Sequence, residues 1–255
     1  MPTAKAKGFL WLGAAVLFAV GAAAGLPRLA KHLPWRTERW LGGLVGGPGR
    51  SQTCEARAST EARAALDTLV ARLYPVLPGD REIPVTVEVV RGETVNAYAT
   101  LGGHVYVIDG LLQKAQSPDE LAGVLAHEIE HVRHRHIIQG FATSLFTLAA
   151  LSVSFPDQAE AGSRLAYVLL SLKFSRAQEA EADVAGLERL KAAHVDSRGF
   201  EEFFARAEAT GEAMEILSSH PANESRAALA ARYRGYATTP ALDAREWSAL
   251  RRICQ

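Results

Sequence analysis

In the run His127-Glu128-Ile129-Glu130-His131, two histidines and a glutamate have the spacing of a helical metal site. Residues four apart on an α-helix project from one face, so the imidazoles of His127 and His131 can reach a single ion. Glu128 then stands beside the place of a bound water, where a general base is needed. A third ligand should be an acid on another helix. In Ser175-Arg176-Ala177-Gln178-Glu179-Ala180-Glu181-Ala182-Asp183 the acids at 179 and 183 share a helix face. Glu179 would bind one Zn2+ per chain, and Asp183, one turn on, would accept a proton from a ligating imidazole. Glu181 points off that face and reads as a solvated surface charge. A pattern with a third histidine as ligand needs a glycine and a histidine where His134 and Ile137 stand, so it fails.

The elements that must position these groups are legible too. Leu121, Val124, Leu125, Ile129 and Val132 recur at helical spacing, and Ser117-Pro118-Asp119-Glu120 supplies an N-cap, a first-turn proline and early acids. Arg133, His134, Arg135 and His136 continue this helix as its polar end rather than as a second metal site. β-branched residues predict short strands over 83–90, 95–100 and 104–108, the last two flanking Gly102-Gly103. Helical patterns cover 61–74, 175–193, 198–217, 223–235 and 242–252. The fold class is therefore α+β, mainly helical, with a small three- or four-stranded sheet beside the helix that carries His127.

Several pieces in fixed order resemble a known family. They are His-Glu-x-x-His at 127–131, Glu-x-x-Ala-Asp at 179–183 after Phe174-Ser175-Arg176, Asn96-Ala97-Tyr98-Ala99, Gly102-Gly103-His104-Val105-Tyr106-Val107, and Ser219-His220-Pro221 followed by Arg226. Over roughly residues 60–235 the chain resembles the HtpX, CAAX prenyl protease and Oma-BepA-like family of membrane-associated zinc metalloendopeptidases, which are gluzincins with a zincin fold. The resemblance implies catalysis by Glu128 on a zinc held by His127, His131 and Glu179. It places His220 near the active site, either donating to the carbonyl oxygen of the substrate or filling the fourth zinc position in a latent, chaperone-like module. It also implies that Asn96, Ala97 and Tyr98 lie on a sheet edge where a protein or peptide substrate pairs as an added strand. An ordinary turn-flanked strand is the alternative for those three residues.

The ends bear on compartment. Gly8–Leu26 is a run of nineteen residues without a charge, enough for a transmembrane anchor, although Ala22-Ala23-Ala24 also fits a cleaved signal peptide. Lys5 and Lys7 before the run favour a cytoplasmic or matrix N-terminus, whereas Arg28, Lys31, Arg36 and Arg39 argue the other way. The expected organisation is a tail (1–7), the anchor (8–26), a glycine-rich juxtamembrane linker with Trp35 and Trp40 (27–57) and a zinc metalloprotease domain (58–255). Cys54 and Cys254 bracket that domain. A bridge between them would require an oxidising compartment such as a bacterial periplasm, while two unrelated thiols are the alternative, and a mitochondrial inner membrane is the second location considered.

Residues 137–155 are a second uncharged run. Were it to span, the ten residues 165–174 would have to return Glu179 to the side of His131, with only about 15 Å of helix against a core of about 30 Å. The two stretches therefore read as a helical hairpin, buried or resting on a membrane surface, that turns at Pro156-Asp157. With 28 basic and 28 acidic residues the chain has no net charge, and it has no basic patch, which argues against nucleic acid as a partner.

Overall fold

The computed structural model describes residues 25–49, 51–54, 58–75, 83–154, 174–210, 216–217, 220 and 225–255. The chain divides into two units, one within 1–34 and 138–172 and the other formed by 35–137 and 173–255. Every site residue named above belongs to the second unit.

That unit begins inside the segment read as a linker. Trp35–Val45 forms helix α1, whose Glu38 is buried and pairs with Arg135 at 2.6 Å. Gly42 lies so close to the Leu101 carbonyl that an added Cβ would collide with it. The glycines that suggested a flexible tether thus let a helix seat against the sheet, and the linker expectation fails over 35–45. Helix α2 (Thr60–Leu73) starts at Ser59, whose hydroxyl accepts the Ala62 N–H at 3.1 Å, and buries Ala62, Ala65, Leu66, Leu69 and Leu73 at helical spacing.

Three strands follow: β1 (Thr86–Val90), β2 (Ala97–Thr100) and β3 (His104–Ile108). Their order is β1-β3-β2, with β1 parallel to β3 (Thr86 opposite His104) and β2 antiparallel to it (Ala97 opposite Val107). Gly102 and Gly103 turn β2 into β3 at φ of +89° and +83°, a region that costs other residues strain. Among the described residues β2 is an edge strand, so the segment Asn96-Ala97-Tyr98 enters the sheet at its rim. Residues 51–54 lie along β1, with the Cys54 N–H donating to the Val89 carbonyl at 2.9 Å. A disulfide joins Cys54 to Cys254, with Cα atoms 4.8 Å apart.

After the short α3 (Asp109–Lys114), helix α4 (Pro118–Arg133) runs through the core. The Ser117 hydroxyl accepts the Glu120 N–H at 3.2 Å, and every residue from Glu120 to Val132 is buried. α4 can be buried on all sides because β2, α6 (Arg176–Ala192) and α7 (Arg198–Thr210) surround it. Helix α5 (His136–Ser154) covers the first arm of the expected hairpin. Its turn at 156–157 and residues 165–173 of the second arm lie outside the described residues. No helix among the described residues is long and apolar enough to cross a membrane, and most of the expected anchor, residues 8–24, also lies outside them.

α6 opens with a reciprocal cap between Ser175 and Gln178. Phe200, Phe203 and Phe204 of α7 form an aromatic core next to α8 (Arg226–Ala230), and α9 (Ala244–Leu250) packs on α2. The expected helix over 223–235 is shorter: Ser225 caps its start, the chain leaves the helix after Ala230, and Gly235 beyond it is left-handed (φ +88°).

Candidate metal centre

α4 and α6 cross where a glycine allows it. A Cβ on Gly186 would stand 3.2 Å from the backbone nitrogen of His127, so only the smallest residue lets the two helices approach this closely without a shift. The result is a buried cluster of His127, His131, Glu179 and His220. His127 Nε2 lies 3.0 Å from His131 Nε2, 3.4 Å from Glu179 Oε2 and 3.3 Å from His220 Nδ1. Glu179 Oε1 lies 3.6 Å from His131 Nε2 and 3.2 Å from His220 Nδ1. Donors about 2.0–2.1 Å from a tetrahedral ion are about 3.3–3.4 Å from one another, so these spacings suit a zinc-sized ion.

Charge supports the same fit. Glu128, Glu179 and Asp183 are buried carboxylates, and Arg226 is the buried guanidinium beside them. Fully ionised, they leave two negative charges, which a divalent cation would neutralise. Both oxygens of Glu128 are buried, and among the described residues their polar neighbours include His220, whose Nε2 lies 3.5 Å from one of them, and the Ala99 backbone. Burial pushes the Glu128 carboxyl above its usual range, against the opposing pull of His220 and His127. For His127 burial works to lower the pKa, yet the carboxylates of Asp183 and Glu179 prevail and hold it up at about 9. Burial and the neighbouring His127 and His220 drive His131 well below its usual value. Burial also raises the Glu179 carboxyl, but hydrogen bonds from His127 and His220 leave it strongly depressed. A proton on His127 therefore stands where the donor set calls for a cation.

The surrounding groups hold the rings. His127 Nδ1 is 2.8 Å from Asp183 Oδ1, leaving Nε2 to face the cluster. Arg226 donates to both Asp183 oxygens (2.8 and 2.9 Å), to Glu179 Oε2 (2.7 Å) and to the His220 carbonyl (2.9 Å). The sequence flagged Arg226 only as part of a motif. Its role as a buried counter-ion depends on three distant segments, and no local pattern announces it. His131 Nδ1 is 3.0 Å from His136 Nδ1, and Phe174 stacks on the His131 ring at 4.0 Å between centroids.

Of the residues expected at the site, His127, Glu128, His131, Glu179, Asp183 and His220 come together. Asn96 and Ala97 are buried at the start of β2, which packs against α4, while Tyr98 is half-buried with its ring 5.5 Å from that of Tyr106. Glu181 needs correction. It is half exposed, but its oxygens lie 2.9 Å from His134 Nδ1 and 3.2 Å from His136 Nε2, so it is not a merely solvated charge.

The profile of peptidase family M48 matches residues 63–233, and the chain belongs to that family. It is 33% identical over 158 residues to the mitochondrial metalloendopeptidase OMA1 of Schizosaccharomyces pombe, a match covering 58% of this chain and 46% of that protein. It is 32% identical over 154 residues to a putative beta-barrel assembly-enhancing protease of Vibrio cholerae, covering 55% and 32%. With the metalloprotease LoiP of Escherichia coli it shares 29% identity over 187 residues, covering 69% and 72%. The chain thus spans less than half the length of the first two relatives.

Proposed function

We propose that this chain is a zinc-dependent metalloendopeptidase with a zincin fold that hydrolyses internal peptide bonds of membrane-associated or misfolded envelope proteins. The observation that carries this reading is the buried Glu128 carboxylate standing beside four donors at zinc-like spacing. A purely structural metal site has no use for such a group.

His127, His131 and Glu179 would hold the ion, and Asp183 fixes the His127 ring by facing its Nδ1. Zinc, when bound, lowers the pKa of a water to about 7 and polarises a peptide carbonyl. Glu128 takes the proton of the attacking water and returns it to the leaving amine nitrogen. His220 Nε2 faces the same space and would donate to the carbonyl oxygen as charge develops there. The rim strand β2, with Asn96, Ala97 and Tyr98, would receive the substrate as an added antiparallel or parallel strand, binding main chain with little sequence preference. Purified Glu128→Gln should keep its zinc and lose casein degradation by a factor of about 10²–10⁴. Zinc-loaded Glu128→Gln that degrades casein at the wild-type rate would refute the assignment.

The substrate class rests on the relatives, one named for enhancing β-barrel assembly and another for mitochondria. Attachment to a membrane rests on the uncharged run 8–26, and an oxidising location such as a periplasm fits the Cys54–Cys254 disulfide, with the mitochondrial inner membrane as the alternative. A second reading is favoured by one distance pair: His220 Nδ1 lies 3.3 Å from His127 Nε2 and 3.2 Å from Glu179 Oε1, as a fourth ligand would. In that latent form His220 must leave before substrate enters, and His220→Ala would be more active than wild type rather than less.

A further inference from the structure

α4 stops at Arg133, and the chain passes through a left-handed Arg135 (φ 59°) before α5 starts at His136. On an unbroken helix His134 and His136, two apart, would diverge. The break instead stacks their rings 5.6 Å apart at 28° and brings both to Glu181 of α6. One ligand atom from each of the three lies within 4.8 Å of the others.

We propose that His134, His136 and Glu181 form a second binding site for a divalent transition-metal ion, separate from the cluster around His127. Two imidazoles and a carboxylate suit Zn2+ and its neighbours rather than Mg2+ or Ca2+. His134 is gripped at its other nitrogen, as ligating histidines are. His134 Nε2 is 3.3 Å from Glu130 Oε2, a carboxylate kept ionised in the core by the Arg189 guanidinium 2.5 Å away. His136 Nδ1 is 3.0 Å from His131 Nδ1, so with both rings metallated through Nε2 two N–H groups would face each other and one ring must shift. The side chains of Glu181 and His134 are 54% and 31% exposed, so an ion reaches this site from solvent and completes its coordination with water. An open, hydrated site binds more weakly than the buried one. The site also borders the first through a single ring: His136 turns one nitrogen to His131 and the other to Glu181. Occupancy of either site therefore weakens binding at the other, by equal factors in both directions.

The test is zinc titration of the metal-free full chain in competition with a chromophoric chelator, with metal content counted after dialysis. Wild type should bind two ions, the second at least tenfold more weakly. His134→Ala and Glu181→Ala should each remove the weaker ion and retain the tighter one. Glu181→Gln, which keeps the size of the side chain, should weaken it at least tenfold. His127→Ala should lose the tighter ion and retain the weaker one, so failure of the first site is distinguishable from failure of the second. One ion per chain in wild type at millimolar zinc, or a second ion that survives both His134→Ala and Glu181→Ala, overturns the proposal.

Discussion

Replacing Arg226 by methionine tests the electrostatic account of the site at its most exposed point. The guanidinium is 1% accessible, makes three hydrogen bonds to the carboxylates of Asp183 and Glu179, and lies 4.6 Å above the Phe204 ring. Methionine retains much of the packing volume but leaves both acids buried without their cation. Removing one partner of a buried ion pair costs about 3–5 kcal/mol, and a domain of this size melts about 2–4 °C lower per kcal/mol. Zinc-free Arg226→Met should therefore melt about 6–20 °C below zinc-free wild type. With zinc present the gap should narrow, because the ion neutralises part of the charge that Arg226 no longer meets. Arg226→Lys keeps a charge but not the fork, and should fall between the two. The assay is urea and thermal unfolding by tryptophan fluorescence, with and without zinc. If zinc-free Arg226→Met unfolds within about 1 kcal/mol of wild type, the guanidinium is not the buried counter-ion described here.

Three further outcomes are expected. Gly186→Val should push α6 off the His127 backbone and weaken zinc at least tenfold by chelator competition, although glycine in a helix otherwise costs about 1 kcal/mol relative to alanine. Glu130 is held at about 2, down from 4.5, because His134, Arg189 and Arg133 outweigh the burial that raises it. Its contribution is complete above the unfolded value and lost as pH falls from about 4.5 through about 2, so Glu130→Gln should cost about 3 kcal/mol at pH 7 and almost nothing near pH 2. Acid unfolding curves that stay parallel across that window would contradict this. Finally, free zinc at a hundredfold excess over its Kd should stabilise the chain by about 2.7 kcal/mol, read as a melting shift that a chelator reverses.

The parts of the site that were legible in the sequence are those set by local spacing. The His127–His131 pair, its Ser117 cap, the Glu179–Asp183 face and the Gly102-Gly103 turn each follow from periodicity or backbone geometry within a few residues. What escaped is non-local. α1 looked like a linker because its glycines and tryptophans fit a tether, and it is the distant partners, Arg135 for Glu38 and the Leu101 carbonyl for Gly42, that explain why it folds onto the domain. The polar run 133–136 looked like the helix continuing as its polar end, but the helix stops at Arg133 and the left-handed Arg135 sends a buried His136 towards His131 and Glu181. Glu181 faces away from the metal on its own helix, as its position required, and finds partners on another.

The bridge between Cys54 and Cys254 closes a loop of 200 residues that contains every group of the metal cluster. Loop-closure entropy alone assigns such a cross-link about 5 kcal/mol, comparable with what a tightly bound ion contributes. Thiol reduction and metal withdrawal thus draw on one reserve of stability. A chain deprived of either keeps a margin, and a chain deprived of both loses most of what an ordinary domain possesses. Oxidation of two cysteines far from the zinc ligands in sequence would then govern how long the emptied protein survives to be reloaded.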